Sequence, residues 1–214
     1  MAFVTNHKKT SEQREFGTIL EAQKIFKDIT NDIELRTQAF EYMVKNKSIK
    51  YILRVLQAPC TINNNADNLF TDFAFISFMK KEKTKEDIQE MLEILKSDDA
   101  YLRNQAIGFL QEYGEDVKEF LRKLLDDDDK DIRIFAINIL GDVRYEDSVD
   151  MLRYLLTKET ATPDPDINVI MTAVDYIGEI GSSEDISLLE AIKMEFDEPY
   201  VAFGIDTAIS RIKG

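Results

Sequence analysis

The feature that most constrains this 214-residue chain is an internal copy. Leu102-Arg103-Asn104-Gln105-Ala106-Ile107 recurs thirty positions later as Ile132-Arg133-Ile134-Phe135-Ala136-Ile137, and Leu110 recurs as Leu140. Each copy follows an acidic turn, Asp98-Asp99 and then Asp126 through Asp129, and each turn follows a Leu-rich amphipathic run. A helix, an acidic turn and a second helix at a fixed period form a unit too small to bury its own apolar face. Such units stack on their copies, so the pattern predicts a helical solenoid.

Taken in order, the chain predicts a mobile arm over residues 1–14, with a capping box at Thr10 and Gln13 near its end. A single solenoid then spans 15–214, with repeats near 16–46, 48–82, 87–114, 117–145, 148–181 and 185–214. Phe16, Ile19, Leu20, Ile25 and Phe26 form the first inward stripe, and Leu35-Arg36-Thr37-Gln38-Ala39 repeats the opening motif. In repeat two, Pro59 ends the first helix, Cys60 to Asp67 form a loop, and Phe70, Ala74 and Phe78 take the inward places. Thr84 with Asp87 reads as the next cap. Repeat three pairs Ile88, Met91, Leu92 and Leu95 with the Leu102 unit. Repeat four pairs Val117, Phe120, Leu121, Leu124 and Leu125 with the Ile132 unit. Repeat five sets Val149, Leu152, Leu155 and Leu156 against Val169, Ala173 and Ile177, and its long turn, Thr157 to Asp166, should protrude. Repeat six sets Ile186, Leu189 and Ile192 against Ile205, Ala208 and Ile212, with Pro199 at a helix start. Gly114 and Gly181 fit the left-handed position after a helix. The recurring Ala sits at the centre of the inward arc, where a larger side chain would push the paired helix away. Gly141 and Gly178, five residues on, suit the same close approach.

Composition narrows the class. Hydrophobic residues make up 44% and charged ones 32%, a folded rather than a disordered balance, and no apolar run approaches a membrane span. The first residues lack a signal-peptide core and the single Cys60 cannot form an internal disulfide, so the expected location is cytoplasmic. Charge is divided unevenly: residues 1–85 carry a balance of +4 and residues 86–214 one of −18. That asymmetry biases which partners can approach which surface.

Asp131-Ile132-Arg133-Ile134-Phe135-Ala136, followed by Leu140-Gly141-Asp142, resembles the second-helix signature of HEAT repeats: an Asp turn, Val-Arg-x-x-Ala, then Leu-Gly. Ile177-Gly178-Glu179-Ile180-Gly181-Ser182-Ser183-Glu184-Asp185 resembles the link between such repeats. The likeness is similar to the bacterial phycobilisome-lyase-type subgroup, close over 87–214 and looser over 16–82. It implies an all-α fold, a right-handed α-α superhelix of about six hairpins whose second helices line a concave wall. The Arg of Arg36, Arg103 and Arg133 is implied to bond a turn Asp of its own or a neighbouring repeat. As a guide to function the likeness says little, because such arrays serve scaffolds, adaptors, transport factors and some enzymes.

With the inward Ala as reference, residues one before, two after and six after point the opposite way. The six-after row reads Lys45, Lys80, Glu112, Asp142 and Glu179, changing sign midway. The other rows bring Phe73, Ile76, Phe135 and Asn138 to the wall, and for repeat six Thr207 and Ser210. These residues predict a groove with an apolar middle, a basic N-terminal end and an acidic C-terminal end. Asp126 to Asp129 read as helix caps rather than a calcium loop, since no closing Glu is spaced for one. His7 is the only histidine, which excludes a His-rich metal centre like that of the family's di-iron hydroxylases and disfavours a Cys-His pair.

The expected function is a non-catalytic scaffold or adaptor that holds a protein or peptide in this groove, without cofactor or metal. An enzyme on the same scaffold, a bilin lyase subunit or an alkylpurine DNA glycosylase, is the alternative. Glu112, Asp142 and Glu179 would repel phosphates and bilin carboxylates, which argues against nucleic acid as a partner. Self-association of the basic end with the acidic end, sensitive to salt, is a third reading.

Overall fold

A computed structural model describes residues 14–58, 64–82 and 84–214. Twelve helices and no strand are found among them, and the chain falls into two compact units, Met1–Glu82 and Lys83–Gly214. The first unit holds α1 (Ile19–Lys27), α2 (Ile33–Asn46), α3 (Ile49–Gln57) and α4 (Asn64–Met79). The second holds α5 (Lys85–Ile94), α6 (Ala100–Gln111), α7 (Lys118–Leu124), α8 (Lys130–Val143), α9 (Ser148–Thr160), α10 (Ile167–Ile180), α11 (Ile186–Glu195) and α12 (Pro199–Lys213). In each unit, helices alternate as antiparallel hairpins. Within the second, α10 packs on both α8 and α12, so second helices form a continuous layer.

Side-chain caps start most of these helices. Thr18, Asp32, Ser48, Asp99, Asp129 and Asp166 each accept a backbone N–H from the first turn, and Thr84 with Asp87 forms a full capping box. The acidic turns therefore supply helix-starting acceptors, with Asp127 also accepting from the Asp129 N–H at 3.0 Å. Pro199 stands in the first turn of α12, where its missing N–H is not needed.

The core follows the repeat. Ala39, Ala74, Ala106, Ala136 and Ala173 are all fully buried at the centres of the second helices. Between neighbouring second helices the backbones come close enough to exclude side chains. A Cβ on Gly178 would lie 2.8 Å from both Cα and Cβ of Ala208, and one on Gly141 would overlap the Tyr176 ring. This pairing sets the register of repeat six. Tyr176 lies three residues after Ala173, so its counterpart Ala208 lies three after the inward position, which is Ile205. Ala208 is buried as expected, but Ile205, also buried, holds the position that corresponds to Ala173.

Other details differ from the sequence expectation, each for a local reason. The Thr10 cap lies outside the described residues, as do Pro59 and Cys60. The first helix starts only at Ile19, so Phe16 is buried ahead of it, and Leu20 faces solvent with 76% of its surface exposed. Arg14, assigned to the mobile arm, is tied down: its N–H donates to Gln38 Oε1 at 3.0 Å and its guanidinium to Glu21 at 3.2 Å. Thr157 to Thr160 continue α9 instead of opening a turn, their hydroxyls bonding back to Arg153 and Leu156 carbonyls. Gly114 opens a 3-10 turn, and Gly181 has φ −79°, so neither is a left-handed cap. Left-handed helix ends occur instead at Gly214, φ 78°, after α12, and at Arg144, φ 56°, whose N–H closes α8 on the Leu140 carbonyl.

The repeated Arg bonds its turn through backbone carbonyls, and for Arg133 those carbonyls belong to turn Asp residues of its own repeat, as expected. Arg103 donates to the Ser97 carbonyl and Arg133 to those of Asp127 and Asp128. Arg133 also meets Glu159 at 3.1 Å, and Glu159, largely buried, accepts the Asp166 N–H. One side chain thereby ties repeat four to the turn of repeat five. In the first unit, Arg36 is buried against Phe26 and Phe70, and its Nε donates to the Phe26 carbonyl at 2.9 Å.

Two glycine substitutions separate close packing from flexibility. Gly178→Val should destabilise the chain by about 1–3 kcal/mol, because its Cβ meets backbone that cannot turn aside. Gly108→Ala, in α6 with nothing within 4 Å of the new Cβ, should stabilise it by about 0.5–1 kcal/mol. Urea unfolding of the two variants beside the parent checks both signs.

Candidate functional site

The outward rows of the second helices are the solvent-facing rows. Lys45, Lys80, Glu112, Asp142 and Glu179 are all exposed, and Phe73, Phe135 and Asn138 are half-exposed. They divide between the units, with Lys45, Phe73, Ile76 and Lys80 in the first and the others in the second. The apolar middle is less bare than expected. Phe73 packs with Phe40 at a ring distance of 6.2 Å, and the Arg103 guanidinium lies over Phe135 at 5.8 Å. Their own neighbours cover these rings because each lies at the margin of the hairpin core. Ile76 is the apolar member that stays open, 57% exposed.

What the second unit does bring together is the wall of α8, α10 and α12. A recess of about 640 Å³ opens there. It is lined by Asn138 and Asp142 from α8, by Thr172, Asp175 and Glu179 from α10, and by Gly204, Thr207 and Arg211 from α12. The α10 residues are one before, two after and six after Ala173. The α12 residues hold the same offsets from Ile205. Asn138 and Asp142 hold the last two from Ala136. The outward rows of α10 and α12, with Asn138 and Asp142 of α8, therefore converge on one concavity once repeat six takes its observed register, whereas Glu112 and Phe135 do not line it. Ser210, reached by the displaced register, does not line it.

Sequence reasoning missed the largest apolar group in this wall. Phe203 is 75% exposed and lines the recess beside Met171 and Gly204. Its signal was available: Phe203 precedes Ile205 by two, as Met171 precedes Ala173. A Cβ on Gly204 would overlap the Met171 side chain, so glycine there lets α12 close on α10.

Hydrogen bonds across the repeats hold the polar lining. Asp142 accepts from Gln111 Nε2 at 2.7 Å and from the Tyr176 hydroxyl at 2.9 Å. Glu179 pairs with Arg144 at 3.2 Å, and Asp175 with Arg211 at 2.6 Å. Exposed bridges of this kind contribute little stability each, but they orient the groups. Burial first, and then the hydrogen bond and charge of Asp142 with the charges of Glu179 and Asp175, push the Tyr176 hydroxyl up to about 12. The recess thus disfavours any added negative charge. It can accept hydrogen bonds, meet a cation and cover an apolar group.

A second concavity of about 380 Å³ lies on the first helices, with Leu125, Met151 and Tyr154 rimmed by Arg122, Asp126 and Asp150. Its acids are spoken for: Asp126 pairs with Lys158 and Asp150 with Arg153. Among the described residues no three His, Cys, Asp or Glu side chains are grouped to hold a metal ion.

The fold and this wall define the class: an all-α protein of stacked helical hairpins, an α-α solenoid. More particularly, residues 88–163, the stretch from α5 through α9, match the family model described as HEAT repeats. No curated protein sequence matches the chain. Among solved structures it is similar to human deoxyhypusine hydroxylase in complex with glycerol, at 15% identity over 91% of this chain and 73% of that one, with a TM-score of 0.46. An engineered protein matches at 15% identity over 91% and 96%, with a TM-score of 0.42. Cex1p matches at 13% identity over 91% of this chain and 44% of its own, with a TM-score of 0.47.

Replacing Asp142 by Asn should lower the Tyr176 ionisation from about 12 while leaving it above its ordinary value of 10.0, since burial, the leading cause, remains. Ultraviolet titration of phenolate, with a Tyr176→Phe chain as the blank, reads the shift. No change would mean that the carboxylate does not shape the recess.

Proposed function

We propose that this chain is a non-catalytic HEAT-repeat scaffold that binds a segment of a protein partner along its second helices, with the α8–α10–α12 recess as the principal contact. The observation that carries this reading is the open Phe203 within a concave wall of donors and acceptors. An exposed aromatic ring surrounded by oriented polar groups suits a peptide, which offers both side chains and unpaired backbone groups. Asn138, Asn168, Thr172 and Thr207 line the recess and can bond peptide backbone. Glu112, on the outward row of the same unit, would extend the contact for a longer partner.

The acidic balance of residues 86–214 opposes nucleic-acid phosphates. No helix among the described residues is long and apolar enough to cross a membrane. The nearer kinship with phycobilisome-lyase-type repeats rests on the Asp131–Asp142 motif and is part of the same proposal.

A random-peptide display library selected on the immobilised full chain tests the reading. Enriched peptides should bind the parent about tenfold more tightly than a Phe203→Ala, Thr172→Arg variant of unchanged circular dichroism. Enrichment of peptides that ignore both substitutions, or none at all, would contradict it.

A further inference from the structure

We propose that the α8–α10–α12 recess selects a peptide segment carrying both a Lys or Arg and an aromatic or apolar residue, the cation meeting Asp142 and the apolar group lying on Phe203. This rests on the recess being a peptide groove and adds the chemistry of its occupant.

Three carboxylates line the recess, and they are not equivalent. Asp175 is bonded to Arg211 and Glu179 to Arg144, so a cation already accompanies each. Among the described residues Asp142 receives only neutral donors, the Gln111 amide and the Tyr176 hydroxyl, and no cation forms an ion pair with it. Those two bonds fix the carboxylate in place, so an incoming ammonium or guanidinium meets an oriented acceptor. The surroundings act in the same direction. Residues 86–214 carry a balance of −18, which draws a cationic segment in and turns an anionic one away. The Tyr176 hydroxyl, held neutral by burial and by the carboxylates, is a gauge of that field within the recess itself.

Phe203 supplies the second half. Its ring is 75% exposed on α12, and Met171 beside it adds apolar surface. A Lys or Arg stem is itself apolar up to its charged end, and a guanidinium stacks on an aromatic face. Phe203 on α12 and Asp142 on α8 line the recess from either side of α10, so a segment that crosses it can cover the ring with one residue and reach the carboxylate with a cation further along. A neutral segment would cover the ring and leave Asp142 without a cation. A phosphate or an acidic segment would meet repulsion.

Fluorescence anisotropy with three labelled peptides and the full chain tests this. All share a Gly-Ser framework with one Phe and, four residues on, an Arg, a Gln or a Glu, so that both side chains leave one face of an extended segment about 13 Å apart. The Arg peptide should bind about tenfold tighter than the Gln peptide, and the Glu peptide most weakly. Asp142→Asn, which keeps an oxygen for Gln111 and Tyr176, should erase the Arg advantage. Phe203→Ala should weaken the Arg and Gln peptides alike. Equal affinity for Arg and Gln peptides, both sensitive to Phe203→Ala, would overturn the cation selectivity and leave the peptide groove standing. An Arg preference that survives Asp142→Asn would trace to the diffuse acidic surface and overturn the proposal. Light scattering that finds a dimer dissolved by Asp142→Asn would assign the recess to a second copy of the chain, and overturn it too. Failure of all three peptides to bind would remove both the selectivity and the groove.

Discussion

Second helices in the Lys83–Gly214 unit approach one another more closely than side chains allow, and the surface they present follows from that. Gly178 lies against the backbone of Ala208, and Gly141 against the ring of Tyr176. Packed interiors tolerate little change of volume, so these contacts set both the spacing and the phase of α8, α10 and α12. Had α10 carried a branched residue at 178, α12 would have to shift or rotate. Gly204 and Met171 would then separate, and the wall of the recess with them.

Polar groups do a different job in this fold. The buried Ala and Leu layers supply cohesion, while Asp, Arg and Tyr side chains tie one repeat to the next at its edges. Arg153, whose ionisation is driven up chiefly by its bond to Asp185, joins α9 to the turn before α11. Burial alone would raise Asp185, but that guanidinium and the Ser182 N–H hold it below the usual carboxylate range. Glu159 answers Arg133 in the same way one repeat earlier. On the outward face the same kind of link, from Gln111 to Asp142 and from Arg144 to Glu179, leaves carboxylates facing solvent. Structural rungs and groups that line the recess are thus the same residues, and an isolated exposed bridge there contributes at most about 1 kcal/mol of stability.

The repeat, the helix caps and the five buried alanines could all be read from residue spacing, because each depends on contacts made within a hairpin. The site was legible only in part. Asn138, Asp142 and Glu179, expected on the outward rows, line the recess, yet Phe203 and Arg211 were passed over. The cause is specific: Ala208 is small because α10 crosses it at Gly178, and a small residue at a crossing has the same letter as one at the inward centre. Only the packing of neighbouring helices tells them apart. Phe73 and Phe135 failed for a related reason, since their covering groups, Phe40 and Arg103, lie on other helices. Arg144 was unreadable as a helix end because a left-handed residue other than glycine depends on what surrounds it.

At the centre of this account is a single physical claim: close-packed second helices present a peptide-binding concavity on α8, α10 and α12. Nuclear magnetic resonance of the isotope-labelled chain, titrated with a peptide selected on it, tests that claim at the level of residues. Amide shifts should concentrate at Asn138, Asp142, Thr172, Tyr176, Phe203 and Thr207 and saturate together with one affinity. Shifts gathered instead around Leu125, Met151 and Tyr154, or spread evenly over the acidic surface, would contradict it.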